Sequence, residues 1–159
     1  EVNDEIRAMF DDMAATGKEI NATGLAGVQV GIMKNIIIVN YEYCAQQEEA
    51  MISGEHKGDI LFMANPEVIE NSKETRDDAF GCFSLPNIFV NVRRPQTVKV
   101  KYLDYNGKEQ IMEATGILSV CIQHEIDHTN GILITDYASP LKKKMMDKKL
   151  AKYKKRMGL

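Results

Sequence analysis

Residues 116–131 read GILSVCIQHEIDHTNG, and the rest of the chain is organised around this stretch. Its periodicity predicts a helix beginning at Thr115 or a neighbour and carrying Ile117, Val120, Cys121, His124 and His128. Asn130-Gly131 ends it, because these residues accept the left-handed backbone favoured just past a helix. Helix positions four apart lie one above the other, so His124 and His128 can chelate one ion. Glu125 sits beside the pair and need not bind the ion. It can take a proton from water whose acidity the ion raises. An amphipathic helix with merely hydrogen-bonded histidines is the plain alternative. Two of the chain's three histidines fall in this motif, and the turns before it are apolar. Both facts favour a metal at the end of a hydrophobic pocket.

Working outward, Ile6, Met9, Phe10 and Met13 predict a first helix, capped by Asn3 or Asp4 and running to about Thr16. ATGLAGVQVG (22–31) is glycine-punctuated and feeds the strand-like NIIIVN (35–40). Polar residues 44–59 read as a loop. Residues 60–78 read as extended segments broken by Asn65-Pro66 and by a turn at Asn71-Ser72. NIFVNV (87–92) and TVKVKYLDYNGKEQIMEA (97–114) add strands, the second with a hairpin signal at Asn106-Gly107. After the central helix, ILITDY (132–137) reads as a short strand, and Ser139-Pro140 opens a last helix. That helix carries an approximate apolar stripe of Leu141, Met145, Leu150, Tyr153 and Met157. The order α, several β, α, short β, α predicts an α+β fold. Antiparallel strands would pack around a central metal-binding helix, flanked by an N-terminal helix and a C-terminal basic amphipathic helix. With no repeat and no linker, residues 1–159 form one domain on this reading.

Composition narrows the function classes. No apolar run reaches the length of a membrane span, and no signal-like segment opens the chain, so no membrane partner is expected. Glu1 falls almost inside the first helical pattern, as though residues upstream had been trimmed. Three irregularly spaced cysteines, Cys44, Cys82 and Cys121, do not form a disulfide framework and point to a reducing compartment. The net charge of −3 hides an asymmetry: residues 142–156 carry nine of the 20 Lys and Arg and one of the 23 Asp and Glu. The remainder holds 11 basic and 22 acidic residues, a net of −11. A basic tail on an acidic body suits an anionic partner.

A catalytic site of this kind needs a third protein ligand. The candidates are His56, Cys44, Cys82 and acidic residues after the helix. Residues 132–159 contain no glutamate, and no histidine follows Gly131. Cys44 and His56 lie in the polar loop, with nothing around them to fix geometry. Cys82 lies between Gly81 and the Ser84-Leu85-Pro86 turn, where the backbone is tightly specified. A small buried cysteine is its plain alternative.

GLAGVQ (24–29), GCFSLP (81–86) and QHEIDH (123–128) occur in that order. Together they resemble the three signature motifs of the peptide deformylases: Gly-x-Gly-Leu-Ala-Ala-x-Gln, Glu-Gly-Cys-x-Ser and Gln-His-Glu-x-Asp-His. ANPEV (64–68), VKYLD (100–104) and DYASPLKK (136–143) also look like that family, so the resemblance spans essentially the whole chain. It implies that Cys82 joins His124 and His128 as ligand to one divalent ion, Fe2+ natively, with Zn2+, Ni2+ or Co2+ as replacements. The implied reaction removes the N-formyl group from the initiator methionine of nascent chains and releases formate. Glu125 would be base and then acid. The side-chain amide of Gln29 and the backbone N–H of Phe83 would hold the oxyanion. Gly24 and Leu25 would form the edge along which the peptide lies. Ile117, Val120 and Cys121 would line the methionine pocket, with Asp127 supporting the ligands from behind.

The same resemblance implies formyl-methionyl nascent chains as partners, in a bacterial cytoplasm or an organelle of bacterial ancestry. The basic last helix could touch ribosomal RNA phosphates without reading sequence. Several positions depart from the family pattern. Ala22 stands for the first glycine, Gly27 for the second alanine, with Val28 following; Phe80 replaces the glutamate of the middle motif, and Phe83 a common leucine. Loss of the carboxylate at 80 is expected to change how the Cys82 loop is held. Two other classes compete: a non-catalytic homologue that binds formyl peptides or the ribosome, and a zinc peptidase. Glu125 argues against the first and the missing downstream ligand against the second.

Overall fold

The computed structural model describes residues 1–47, 52–53 and 58–159. In chain order its elements are α1 (Asp4–Glu19), β1 (Gly24–Ala26), β2 (Ile36–Asn40), α2 (Tyr41–Gln47), β3 (Ile52–Ser53), β4 (Ile60–Asn71) and β5 (Thr75–Cys82). Then come β6 (Leu85–Pro95), β7 (Thr97–Leu103), β8 (Glu109–Thr115), α3 (Gly116–Thr129) and α4 (Pro140–Met157). The α+β class expected from the element order is the class observed, and the pairings β1–β2, β2–β4, β4–β7, β7–β8 and β8–β3 are all antiparallel. Two compact units result: Glu1–Thr75 with Pro95–Gly131, and Arg76–Arg94 with Ile132–Leu159.

In the first unit a six-stranded sheet runs β1-β2-β4-β7-β8-β3. The run Ile36–Val39 is buried without interruption because helices cover both faces of its sheet. Ile37 and Val39 pack with Leu118, Ile122 and Ile126 of α3. Ile36 and Ile38 alternate to the other side and pack with Phe10 and Met13 of α1. Each such side chain contributes about 1.5–3 kcal/mol of burial, so this strand fixes the depth at which α3 lies. Helix α1 starts as expected, with the Asn3 side chain accepting from the Ile6 N–H at 3.0 Å, and runs three residues past Thr16.

Two expectations for this unit need correction. Asn65-Pro66 does not break the strand. Asn65 adopts a left-handed backbone, φ 49°, and the register shifts between Ala64 and Glu67. A bulge absorbs the proline, which has no N–H to give the ladder, and β4 continues. The polar segment 44–59 is not all loop either: Cys44 sits fully buried in α2. His56 lies outside the described residues.

In the second unit β5 and β6 form a two-stranded sheet. Strict alternation turns Ile88, Val90 and Val92 inward onto a small core with Leu85 and Ile134. ILITDY is not a strand. Residues Ile134–Tyr137 form a 3-10 turn, because the Asp136 carboxylate accepts from the Leu133 N–H at 2.8 Å and draws the backbone round. Ser139 caps α4, its hydroxyl accepting from the Lys142 N–H, with Pro140 in the first turn. The stripe expected on α4 holds at Leu150 and fails at its outer members. Met146 and Leu150 pack on the small core, whereas Leu141, Met145 and Met157 are 71%, 63% and 55% exposed. The face that packs is a narrow one, made of Leu150 and of Met146, which the stripe left out.

Candidate functional site

Nearly every residue of α3 is buried, and the helix ends at Asn130 with Gly131 left-handed at φ 74°. His124 and His128 are 7% and 5% exposed. Their Nε2 atoms approach to 3.2 Å, with ring planes 82° apart. One helical turn thus delivers two imidazole nitrogens to a single spot. The face behind them is clamped by residues that periodicity does not single out. Gln123 donates to the carbonyl of Pro95 at 3.1 Å and to the Ser119 hydroxyl at 2.9 Å. Ser119 has no signal in the sequence beyond polarity within an otherwise apolar helix, whereas Gln123 opens the QHEIDH motif.

Glu125 is 4% exposed and lies against β1. A Cβ on Gly24 would stand 2.5 Å from Glu125 Oε1, 2.8 Å from Cγ and 2.9 Å from Cδ. The carboxylate therefore occupies space that exists only because residue 24 has no side chain. Gln29, in the 3-10 turn Gly27–Val30 that follows β1, is tied to the same strand. Its Oε1 accepts from the Ala26 N–H at 2.9 Å, which fixes the side-chain amide beside that strand. Leu25 points the other way and is buried with Phe10 and Met13. Gly27, the departure from the usual alanine, has a local cause: a Cβ there would stand 2.9 Å from the Ile32 carbonyl oxygen.

Ile117 and Cys121 pack into the core beneath the sheet, and Val120 is fully buried. Asp127 is half-buried. Cys82 ends β5 and is half-buried, and Phe83 in the following turn is 60% exposed. The ligand atoms of Cys82, His124 and His128 all lie within 4.8 Å of one another. Cys44 is not part of this group. One sulfur and two imidazole nitrogens, largely withdrawn from water, make a donor set that fits zinc or ferrous iron. The arrangement can hold a divalent ion, and Glu125 directly follows one of its ligands in sequence.

Comparison with known proteins agrees with this chemistry. A family model described as polypeptide deformylase matches residues 1–144. The peptide deformylase of Pelagibacter ubique is 40% identical over 153 residues, covering 96% of this chain and 83% of that protein. That of Rhizobium meliloti is 37% identical over 157 residues, covering 99% and 84%. Among solved structures, peptide deformylase from Ehrlichia chaffeensis in complex with actinonin superposes with a TM-score of 0.84. It shares 38% identity, with 98% of this chain and 86% of that chain covered.

Proposed function

This chain belongs to the polypeptide deformylase family, and from that membership we infer that it hydrolyses the N-formyl group from the initiator methionine of nascent polypeptides, releasing formate. The observation that carries the reading is the Cys82, His124 and His128 group, with a buried carboxylate following one of its histidines.

Cys82, His124 and His128 are the residues proposed to hold the ion, Fe2+ by preference, with Zn2+, Ni2+ or Co2+ able to replace it. When bound, the ion would supply Lewis acidity, polarising a carbonyl and lowering the pKa of water toward neutrality. Glu125 takes the proton of the attacking water and returns it to the departing amine. The seat against Gly24 supports this role, since it holds the carboxylate in one place. The side-chain amide of Gln29 and the backbone N–H of Phe83 donate to the developing oxyanion. For Gln29 the support is its tether to Ala26, which holds the side-chain amide in one place.

The peptide lies along Gly24 and Leu25. β1 is the end strand of its sheet among the described residues, and an end strand offers backbone N–H and C=O groups to an extended chain. Ile117, Val120 and Cys121 form the methionine pocket. Residues 1–159 act as one catalytic domain, in a bacterial cytoplasm or an organelle of bacterial ancestry. No helix is long and apolar enough to cross a membrane among the described residues. Helix α4 is the surface offered to the ribosome. Lys149, Lys152 and Arg156 line one groove on it with Asn87 and Tyr153, a cationic lining suited to phosphates.

The test is formate release from a formyl-methionyl peptide by protein loaded anaerobically with Fe2+. Release is expected, with Glu125→Ala slower by about 10²–10⁴-fold. A folded, metal-loaded chain that releases no formate would leave formyl-peptide binding as its activity.

A further inference from the structure

Cys82 is the last residue of β5, and what holds that end of the strand can be read from its two faces. Along β5 the side chains alternate. Phe80 and Cys82 face the small core of Leu85, Ile88, Val90, Val92 and Ile134, and Asp77, Ala79 and Gly81 face outward. On the outward face Arg93 of β6 pairs with Asp77 at 2.9 Å. Four residues along each strand from that pair, Phe89 lies over Gly81. A Cβ on Gly81 would stand 2.7 Å from Phe89 Cε1, 3.1 Å from Cδ1 and 3.4 Å from Cζ.

Gly81 is not among the glycines with left-handed backbone. Its missing side chain therefore serves space, and the space is filled by the ring. Phe89 is 69% exposed, so burial of its own surface is a weak reason for it to be there. A glycine inside a strand leaves the strand loose, with no side chain to pack. An aromatic ring from the neighbouring strand laid across it restores contact. Phe80 below and Phe89 above thus grip the strand at the residues directly before Cys82.

We infer that Phe89 is a positioning residue for Cys82, its ring on Gly81 holding the end of β5. This rests on Cys82 being a metal ligand, as proposed above. The consequence is retention of the ion, since residues supporting a ligand typically govern metal affinity by about 10–100-fold.

The full-length chain is loaded with Co2+, and two quantities are followed: the sulfur-to-cobalt absorption band and the rate of Co2+ loss to EDTA. Phe89→Ala is expected to shift the band and to lose metal at least about tenfold faster. Phe89→Tyr, which keeps the ring, should behave like the unaltered protein. Gly81→Ala should speed loss by displacing the ring, and should add little once Phe89 is already alanine. Val92→Ala weakens the same hairpin's core without touching Gly81, and should leave the band in place. Unchanged loss in Phe89→Ala, or an equal band shift in Val92→Ala, would overturn the inference while leaving Cys82 as ligand. A sulfur band absent from the unaltered protein, or persisting in Cys82→Ser, would instead overturn the ligand assignment and the inference with it.

Discussion

At the scale of single residues, the least replaceable atom at position 24 is the one that is missing. A methyl group there would begin inside the Glu125 side chain, 2.5 Å from its Oε1, so Gly24→Ala must push the carboxylate aside. With Glu125 as base, a displacement of about 1 Å is worth about a hundredfold in rate. Gly24→Ala is expected to lower kcat for formate release by that order with metal content unchanged, because it does not touch His124 or His128. Steady-state kinetics beside a metal assay decides this. A normal kcat would mean the carboxylate has room elsewhere. Loss of metal in step with activity would mean the strand, not the base, had been disturbed.

At the scale of elements, the β7–β8 hairpin shows how one side chain sets a turn. Asp104 Oδ1 accepts from the N–H groups of Asn106 and Lys108, both at 2.9 Å, and Oδ2 accepts from the Gln110 amide at 2.8 Å. Burial works to raise its pKa, but the Gln110 amide and the two backbone donors outweigh it and hold the carboxyl below its usual 3.8. A depressed folded pKa means stability that is complete above the ordinary carboxylate value and is lost as pH falls through the depressed one. Asp104→Ala is expected to destabilise the protein by about 2 kcal/mol at neutral pH, measured by urea unfolding. The gap to the unaltered protein should narrow in acid. A gap that is constant with pH would show that the charge on Asp104 contributes nothing.

At the scale of the whole molecule, charge is segregated along the chain: residues 142–156 hold nine cations and one anion, and everything else sums to −11. The cations lie on α4, none of whose residues is fully buried. If α4 meets ribosomal phosphates, neutralising Lys148, Lys149, Lys152, Lys154 and Lys155 should abolish co-sedimentation with ribosomes at moderate salt. Each lysine that had neutralised a phosphate should, on replacement, flatten the salt dependence of binding by a slope of about one. Co-sedimentation that survives the five substitutions would assign ribosome binding to another surface. Formate release from free peptides should be unaffected.

The local rules of the chain determined a good deal by themselves. The His-Glu-x-x-His spacing, the Asn130-Gly131 stop, the Asn3 and Ser139 caps and the Asn106-Gly107 turn depend on interactions within a few residues, and each is legible in the letters alone. So are the buried strand Ile36–Val39 and the order of elements that makes an α+β fold. Other features depend on partners distant in the chain, and periodicity cannot see those. Pro66 reads as a break because it lacks an N–H, but β7 pairs with β4 before and after the bulge, at Ala64 and Glu67, and carries the strand through it. ILITDY is an exception of another kind: its apolar residues read as a strand, and the contact that overrides them is local, the Asp136 carboxylate claiming the Leu133 N–H three residues back. The apolar face of α4 is legible at Leu150 but not at Met146, because the partner that selects it is a core built largely from β6. The neighbours of two glycines can be found only in space: Gly24 gives its volume to Glu125, and Gly81 gives its own to Phe89. A side chain that is absent leaves no pattern in a sequence, and what fills its place is decided by tertiary packing.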